Sequence, residues 1–247
     1  HANAMLELGT TRVEVGVQSL FEDVLYKSHR GHTLQDTIDS TQILRDLGFK
    51  INYHMMTGMP GSDEEKDRRS LREIFTNDRY RPDMIKIYPC LVMKGTPLYQ
   101  QYKRGKYIPY DLKRAVSIIG DALSNVPTYC RIMRIQRDIP STMVEDGVKH
   151  TNLKQYVDEY MHEQGLKCRD VRSREIARVD PKSITQEPNI EILVEEYEAS
   201  DGKEFFISAE DTANDILIGF CRLRFIGQVL RDEFTESSAI VRELHVY

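Results

Sequence analysis

Lys86 and Tyr88 have a spacing that suggests shared chemistry. They stand two residues apart in the strand-like run MIKIYP, so both side chains point to one face while Ile85 and Ile87 point to the other. A lysine and a tyrosine on one face of a buried strand need polar partners, and a ligand cavity would supply them. The alternative is that both side chains reach solvent from an exposed edge strand.

Two glycine motifs follow strand-like runs. They are GVQS at residues 16–19 and GMPGS at residues 58–62. Glycine lets a backbone approach a ligand closely, and the start of a following helix offers free N–H groups to anionic ligand parts. The simpler alternative is that these glycines only form turns.

Basic residues concentrate in the runs RIMRIQRDIP and KCRDVRSREIAR, which hold Arg131, Arg134, Arg137, Lys167, Arg169, Arg172, Arg174 and Arg178. Arginine forks suit phosphate, so the two runs are compatible with an RNA-binding surface. The alternative is a salt-bridged face, because Asp138, Asp170 and Glu175 lie among them. Cys168 has no second cysteine near it, and His150 and His162 are not at zinc-finger spacing. It is expected to be a buried structural thiol.

Composition indicates a globular chain of two modules. With 40% hydrophobic and 30% charged residues, the chain has no apolar run near the ~20 residues that span a bilayer. Its four cysteines are far apart, which favours a reducing cytoplasm. From residue 180 onward 6 basic residues face 15 acidic ones, whereas the first 179 residues hold 28 basic and 24 acidic ones. Only the first part could favour a polyanion.

The elements that position these residues change character along the chain. Strand-like and helical runs alternate over residues 1–127, which predicts an α/β sheet or barrel with chemistry in the loops after the strands. Ser62 and Glu65 have the spacing of a capping box. Residues 128–188 are predicted to be a basic, irregular connection. Residues 189–247 contain four strands in succession, with a hairpin turn at Asp201-Gly202 and a half-buried last strand, AIVRELHVY, whose buried set is Ile240, Arg242, Leu244 and Val246.

Several of these motifs occur together in one family. TRVEVGVQS, HMMTGMPGS, DMIKIYPCLVMKGTPLY, RIMRIQRDIP, CRDVRSRE and AIVRELHVY follow one another in the order found in the catalytic subunit of Elongator, a tRNA wobble-uridine acetyltransferase. The chain resembles that family over nearly its whole length. The resemblance implies a partial radical S-adenosylmethionine barrel, then the basic connection, then a partial GNAT-like antiparallel α+β domain. It also implies an enzyme that makes 5-carboxymethyluridine from acetyl-CoA by a radical mechanism.

The resemblance also implies site residues and cofactors. Lys86 and Tyr88 would be catalytic. The residues implied to bind S-adenosylmethionine or acetyl-CoA are Gln18, His54, Met56, Gly58, Glu243, His245 and Val246. Those implied to face tRNA are Arg131, Arg134, Arg137, Lys149, His150, Arg169, Arg172 and Arg174. The cysteine triplet for a [4Fe–4S] cluster and the acetyl-CoA phosphate loop are expected outside this segment, which would make it a fragment that need not be active alone. Other Elongator-type subunits or a second copy are the expected partners, and no membrane.

Two other functions stay open, and zinc is expected to be absent. The chain could be a protein lysine N-acetyltransferase with the barrel as scaffold, or a non-catalytic tRNA-binding or assembly module. Prokaryotic relatives resemble CxCxxC where this chain has Cys168, Asp170 and Ser173. Because a structural zinc site needs four ligands and Ser is a poor one, no stoichiometric zinc is predicted at Cys168. Arg–carboxylate pairs open to Arg172, Arg174, Asp170 and Glu175 are predicted to hold the connection instead.

Overall fold

The computed structural model describes residues 1–136 and 139–247. The helices are α1 Ala2–Glu7, α2 Glu22–Lys27, α3 Leu34–Asp46, α4 Glu64–Thr76, α5 Pro97–Lys103, α6 Leu112–Leu123, α7 Leu153–Glu163 and α8 Val171–Arg174. The strands are β1 Arg12–Gln18, β2 Lys50–Thr57, β3 Met84–Pro89, β4 Val92–Met93, β5 Arg131–Ile135, β6 Val144–Asp146, β7 Ile190–Ala199, β8 Gly202–Asp211, β9 Ile216–Phe225 and β10 Ala239–Val246. Short 3-10 helices occur at Ser141–Met143, Ile176–Arg178 and Pro181–Ser183.

The first sheet is parallel, with strand order β1-β2-β3-β5. Alternate residues of the strands, such as Ile51 and Met55 on β2, pack into a core against α3, α4 and α6. The opposite, open face carries Glu14, His54 and Lys86. The predicted α/β fold is confirmed, and β3 is a central strand rather than an exposed edge.

Local signals set the helix ends, with one correction. Thr33 and Asp36 form a reciprocal capping box at the start of α3, and Gly48 follows its end at φ 85°. The capping box predicted at Ser62 is wrong, because Asp63 is the N-cap of α4 and accepts from the Lys66 N–H. Ser62 instead donates to Asp67 over 2.6 Å.

The connecting region is more regular than predicted. The irregular structure expected over residues 128–188 is wrong at β5, which extends the first sheet, and at α7, which packs on α6. The buried residues of these elements include Ile132, Ile135 and Val157. Because charged and polar residues fill the positions between them, the strand and helix spacing of the apolar residues is hard to recognise in the sequence. The domain boundaries proposed from the sequence stay predictions.

The second sheet is antiparallel, with strand order β10-β9-β8-β7, as the four successive strand-like runs predict. The two-residue turn of the β7–β8 hairpin is Ser200-Asp201, one residue earlier than predicted, with both residues at positive φ as the right-handed strand twist favours. Tyr197 stacks on Tyr129 of the first module at a centroid distance of 4.1 Å. The inner face of the second sheet therefore joins the core of the first.

A β-bulge overturns the predicted burial of β10. The register on β9 shifts between Val241 and Glu243. Since one added residue reverses the alternation, Leu244 and Val246 lie on the exposed outer face, 74% and 75% accessible, while His245 faces inward against Phe220. Arg242 is buried, as predicted from its place in the alternation, and it pairs with charged groups of both modules.

Within the described residues, no helix is both long and apolar enough to cross a bilayer.

Candidate functional site

The open face of the first sheet carries a charged group that we call the mouth cluster: Glu14, His54, Lys86 and Tyr88. His54 Nε2 lies 2.6 Å and Lys86 Nζ 2.5 Å from the same oxygen, Glu14 Oε2. Parallel pairing produces this arrangement, because His54 and Lys86 are register partners on β2 and β3 and Glu14 lies on the adjacent β1. Tyr88 packs edge-on to the His54 ring at a centroid distance of 5.7 Å.

The electrostatics of the mouth cluster follow from this shared carboxylate. Burial alone would raise the pKa of Glu14, but hydrogen bonds from Lys86 and His54 and their charges lower it to about 2. Glu14 is thus an anion throughout the physiological range. It fixes the direction of the Lys86 ammonium, and the cluster offers both signs of charge to a ligand.

Asn52 lies beside the mouth cluster, in register with Glu14 and with Met84. Its side chain is fully buried, and neither its amide nitrogen nor its amide oxygen has a hydrogen-bond partner among the described residues. Buried amides are nearly always paired in folded proteins. Asn52 therefore leaves an amide donor and an amide acceptor unpaired beside the charged cluster. Sequence reasoning did not identify Glu14 or Asn52, although both stand at the open-face positions of their strands.

Gln18 ends β1 in a strained conformation. Its φ is 67°, which is uncommon for a residue with a side chain, and its register on β2 is irregular. Its amide nitrogen would lie 2.9 Å from a Cβ on Gly16, a contact that the flexible Gln18 side chain could relieve by moving. Met56, one register step beyond His54, is partly buried and is the partner of Tyr88. The structure thus brings Gln18, His54 and Met56 to the open face and carboxyl end of neighbouring strands.

Buried side chains hold the loop after β2 through hydrogen bonds to its backbone. Gly58 has φ 71°, its N–H donates to Asp67 Oδ2 over 2.7 Å, and its carbonyl accepts from Tyr107 Oη over 2.6 Å. Tyr110 covers the glycine, since a Cβ there would meet the ring at 3.0 Å. Both backbone groups of Gly58 are therefore used inside the protein. Burial raises the pKa of Asp67. Asp67 and Tyr107, which the sequence analysis missed, hold the shape of this loop.

The second sheet meets the amino-terminal edge of the first through buried ions. We call this group the interface cluster: Arg45, Asp46, Asp83, Glu204, Arg222, Arg224 and Arg242. Arg242 donates to both oxygens of Asp83 over 2.6 and 2.8 Å and to Glu204 over 2.8 Å. Arg224 pairs with Asp46 over 2.6 Å, and Arg45 with Glu204 over 3.2 Å. These contacts set the position of β9 and β10 on the first sheet.

The residues proposed to border acetyl-CoA lie on β10, at the edge of the second sheet. The Glu243 carboxylate forms an ion pair with Arg222 at 2.9 Å and a longer one with Lys50 at 3.7 Å. His245 is exposed, stacks on Phe220 and packs at a tilt against Tyr247. Val246 is exposed. Because β10 is an edge strand, backbone groups on its outer side are available to an extended ligand.

The basic residues proposed to face tRNA divide into two groups. Arg134, Lys149 and His150 are exposed. Arg174 is buried, pairs with Glu210 over 2.6 Å and donates to the Thr128 carbonyl, so its assignment to an RNA surface is wrong. Arg131 is paired with Glu175 and reaches the Tyr247 hydroxyl over 2.9 Å. Arg137 lies outside the described residues.

The pairing predicted for the connection is corrected as well. Asp170 forms no ion pair among the described residues, because it caps α8 and accepts the Ile132 N–H over 2.9 Å. Arg172 donates to the Met133 carbonyl over 3.1 Å. Arg169 makes a forked pair with Asp215, 53% and 47% exposed, which leaves it less available to phosphate. Ion pairs do hold this region, but their partners come from the second sheet or from Glu175.

A metal or iron–sulfur centre does not fit the cysteines of the described chain. All four are free, and burial raises the pKa of each thiol, that of Cys168 to about 12. Over residues 1–136 and 139–247 no three His, Cys, Asp or Glu side chains are grouped to hold a metal. The open face differs, because there an unpaired buried amide adjoins groups of both charges.

Comparisons with known proteins define the class. The Radical SAM superfamily model matches residues 1–74, and the Radical_SAM C-terminal domain matches residues 82–163. The first module is therefore a radical SAM protein fold, as its parallel sheet indicates.

Relatives define the family further. The chain is 49% identical over 247 residues to a tRNA uridine(34) acetyltransferase of Methanocaldococcus infernus, covering 99% of this chain and 46% of that protein. It is 43% identical to Elongator complex protein 3 of Dictyostelium discoideum, covering 100% of this chain and 44% of the relative. The solved structure of archaeal Methanocaldococcus infernus Elp3 with an N-terminal deletion aligns with a TM-score of 0.94 at 49% identity, over 99% of this chain and 58% of that one.

The chain is similar over nearly its whole length to these tRNA uridine(34) acetyltransferases and Elongator complex proteins, and the resemblance stated from its motifs is confirmed. It spans about half the length of the curated relatives that it matches.

Proposed function

We propose that this chain is part of an enzyme that transfers an acetyl-derived group from acetyl-CoA to the wobble uridine of tRNA, forming 5-carboxymethyluridine. The observation that carries the proposal is the mouth cluster with the unpaired Asn52 beside it, on the open face of a radical SAM sheet. Charged and polar groups that converge in one place on an otherwise apolar sheet are the usual mark of a ligand site.

The chain's own residues would act by binding and orienting. S-adenosylmethionine supplies radical chemistry when bound, and its amino-acid part carries an ammonium and a carboxylate. Glu14 can accept from the former, and Lys86 or His54 can donate to the latter. Tyr88 has a hydroxyl that can donate to a carbonyl of the acetyl group or the uracil ring. No step is assigned to an iron–sulfur cluster, since the described residues do not hold one.

The substrate side of the proposal rests on charge. Arg134, Lys149 and His150 are exposed, and Arg134 is the register partner of Lys86. A polyanion bound over β5 would therefore reach the mouth cluster. Acetyl-CoA would lie along the free edge of β10. Other Elongator-type subunits or a second copy, and a cytoplasmic location, belong to this proposal.

The test uses the full-length protein with tRNA, acetyl-CoA, S-adenosylmethionine and reductant, and measures 5-carboxymethyluridine by mass spectrometry of digested tRNA. Lys86→Met and Tyr88→Phe are each expected to lower product formation at least a hundredfold, since misplacing reactants by about an ångström has that effect. Lys113→Met on the exposed surface of α6 is the matched control and is expected to keep full activity. Wild-type product yields in both mouth variants would contradict the proposal.

A second measurement separates the lysine acetyltransferase and the non-catalytic alternatives. Acetyl-CoA hydrolysis by the same protein is expected to rise with tRNA and not with a lysine-rich histone peptide. Stimulation by the peptide alone would favour protein acetylation. Tight tRNA binding without hydrolysis or product would favour a binding module.

A further inference from the structure

A cavity of about 820 Å³ opens beside β5, the edge strand of the first sheet, and lies between β5, α7 and the segment around α8. Its floor is apolar and includes Ile132, Met161 and Leu166. Neither the mouth cluster nor the interface cluster lines it. This volume is within the range of pockets that hold drug-sized molecules.

The rim of this cavity, which we call the β5 cavity, is basic. Arg134, Lys154, Arg172 and Arg178 line it, against Asp158 and Asp170. Both carboxylates and two of the cations are already used, because Lys154 pairs with Asp158, Arg178 pairs with Glu175 over 2.8 Å and Asp170 caps α8. Arg172 has no carboxylate within ion-pair distance among the described residues, and its bond to the Met133 carbonyl uses one nitrogen of the guanidinium. Most of its fork remains able to bind an anion.

An apolar floor under a guanidinium rim matches a flat heterocycle that carries a phosphate. Bases bind proteins through their faces on apolar and aromatic groups, and arginine forks take the phosphate. The position of the cavity indicates that this heterocycle and phosphate come from a bound RNA strand. Arg134 lines the cavity and pairs in register with Lys86, so one inter-strand step of about 4.8 Å lies between the cavity edge and the strand that carries Lys86. The cavity floor lies on the opposite, helix-packed side of the sheet, because Ile132 is the register partner of the core residue Ile85.

We infer that the β5 cavity holds one unstacked nucleotide of the RNA strand, a neighbour of the uridine presented to the mouth cluster. An RNA strand that places one base at Lys86 can cross β5, the edge strand of the sheet, so that the next base turns around that edge into the cavity. Arg172 binds the phosphate between them, and Leu166 and Met161 support the base. This inference rests on the proposed function and adds to it a second base-binding position.

The experiment measures the dissociation constant of a fluorescent tRNA anticodon stem-loop with the full-length protein. Two further RNAs each carry one abasic site, on the 5′ or the 3′ side of the wobble uridine. One of the two is expected to bind the wild type about tenfold more weakly, because stacking of one base contributes about that factor. Leu166→Trp, which fills the cavity, is expected to weaken binding of the intact RNA similarly and to remove the penalty of that abasic site.

Val229→Trp places the same side chain at an exposed position outside the cavity and is expected to leave both constants unchanged. Arg172→Gln provides an independent test in case Leu166→Trp does not fold. It is expected to lower the affinity for the intact RNA and to reduce the slope of log affinity against log salt by about 0.7. Equal abasic penalties in wild type and Leu166→Trp, or a salt slope that Arg172→Gln leaves unchanged, would overturn the inference while leaving the proposed function intact. Saturable binding of free adenosine or uridine monophosphate that Leu166→Trp abolishes, with no abasic penalty in RNA, would assign the cavity to a free nucleotide and overturn it too. Failure of wild-type protein to bind any tRNA would instead reject the proposed function.

Discussion

The interface cluster and the mouth cluster place charges at two parts of the same sheet and use them differently. In the interface cluster Asp83, Glu204 and Arg242 are wholly buried, and every carboxylate meets at least one guanidinium. In the mouth cluster Glu14 is 34% exposed, and the side-chain amide of the neighbouring Asn52 has no hydrogen-bond partner among the described residues. The carboxylates of the interface cluster are all paired, although Arg45 Nε and Arg222 Nη1 donate no hydrogen bond within the described residues, and this cluster holds the two modules in place. The mouth cluster, with Asn52 beside it, retains hydrogen-bonding capacity for a ligand.

The pKa shifts describe the same contrast. Burial would raise the pKa of Asp83, but the charges of Arg242, Arg222 and Arg45 overcome it and lower that pKa far below its usual range. The pKa of Glu204 is lowered for the same reason, and that of Arg242 is raised by its two carboxylates. Such a group is stable only when complete, because an unpaired buried ion retains its desolvation penalty.

The largest expected effect comes from breaking the interface cluster. Asp83→Asn removes the anion that binds Arg242 and leaves buried guanidinium charge uncompensated, so the free energy of unfolding should fall by about 3–5 kcal/mol. Chemical denaturation followed by circular dichroism measures it. Asp215→Asn, which breaks the half-exposed pair with Arg169, is the control and should cost below about 1 kcal/mol. Equal losses in the two variants would show that burial does not separate these sites.

Breaking the mouth cluster should affect activity rather than stability. Glu14→Gln keeps the shape of the side chain but removes the charge that orients Lys86, so product formation should fall about a hundredfold. The free energy of unfolding should change by less than about 1 kcal/mol, because the cluster is partly solvated. A variant that loses stability as severely as Asp83→Asn would place Glu14 with the structural charges instead.

The pH dependence of stability should distinguish the clusters further. The folded-state pKa of Glu14 is about 2, below its ordinary value of 4.5, so its contribution is complete above pH 4.5 and is lost as pH falls towards 2. Unfolding in this window should take up fewer protons in Glu14→Gln than in the wild type. Denaturation curves between pH 5 and about pH 2 provide the slope. An identical slope in both proteins would mean that Glu14 is not held by Lys86 and His54 in solution.

The smallest expected effect concerns metal at Cys168. Its thiol is partly buried, with a pKa raised to about 12, and Asp170 is engaged in capping α8. Elemental analysis of the purified protein should find no zinc that depends on Cys168, so the wild type and Cys168→Ala should give the same zinc content. One zinc per chain lost in that variant would contradict the expectation.

Periodicity in the sequence predicted the parallel sheet, the four antiparallel strands, and the shared face of Lys86 and Tyr88. It did so because apolar positions repeat every second residue in β2 and β3 and at helical spacing in α6. Similarity of motifs predicted the family. It did not predict Glu14 as the partner of Lys86, because 72 residues separate them and only strand pairing brings them together.

Tertiary structure alone decided which charges are exposed and which are buried. Arg134 and Arg174 have the same side chain in two similarly basic runs, yet the first is exposed and the second is buried against Glu210 of the second sheet. Arg242 lies in a run where every second residue is apolar, so its partners could not be recognised in the sequence. In the structure it lies at a register shift in β10 and pairs with two carboxylates that are distant along the chain, at the centre of the module interface. Residue type sets what a side chain can bind, whereas contacts far along the chain set its burial and its partners, and those determine whether its charge is available.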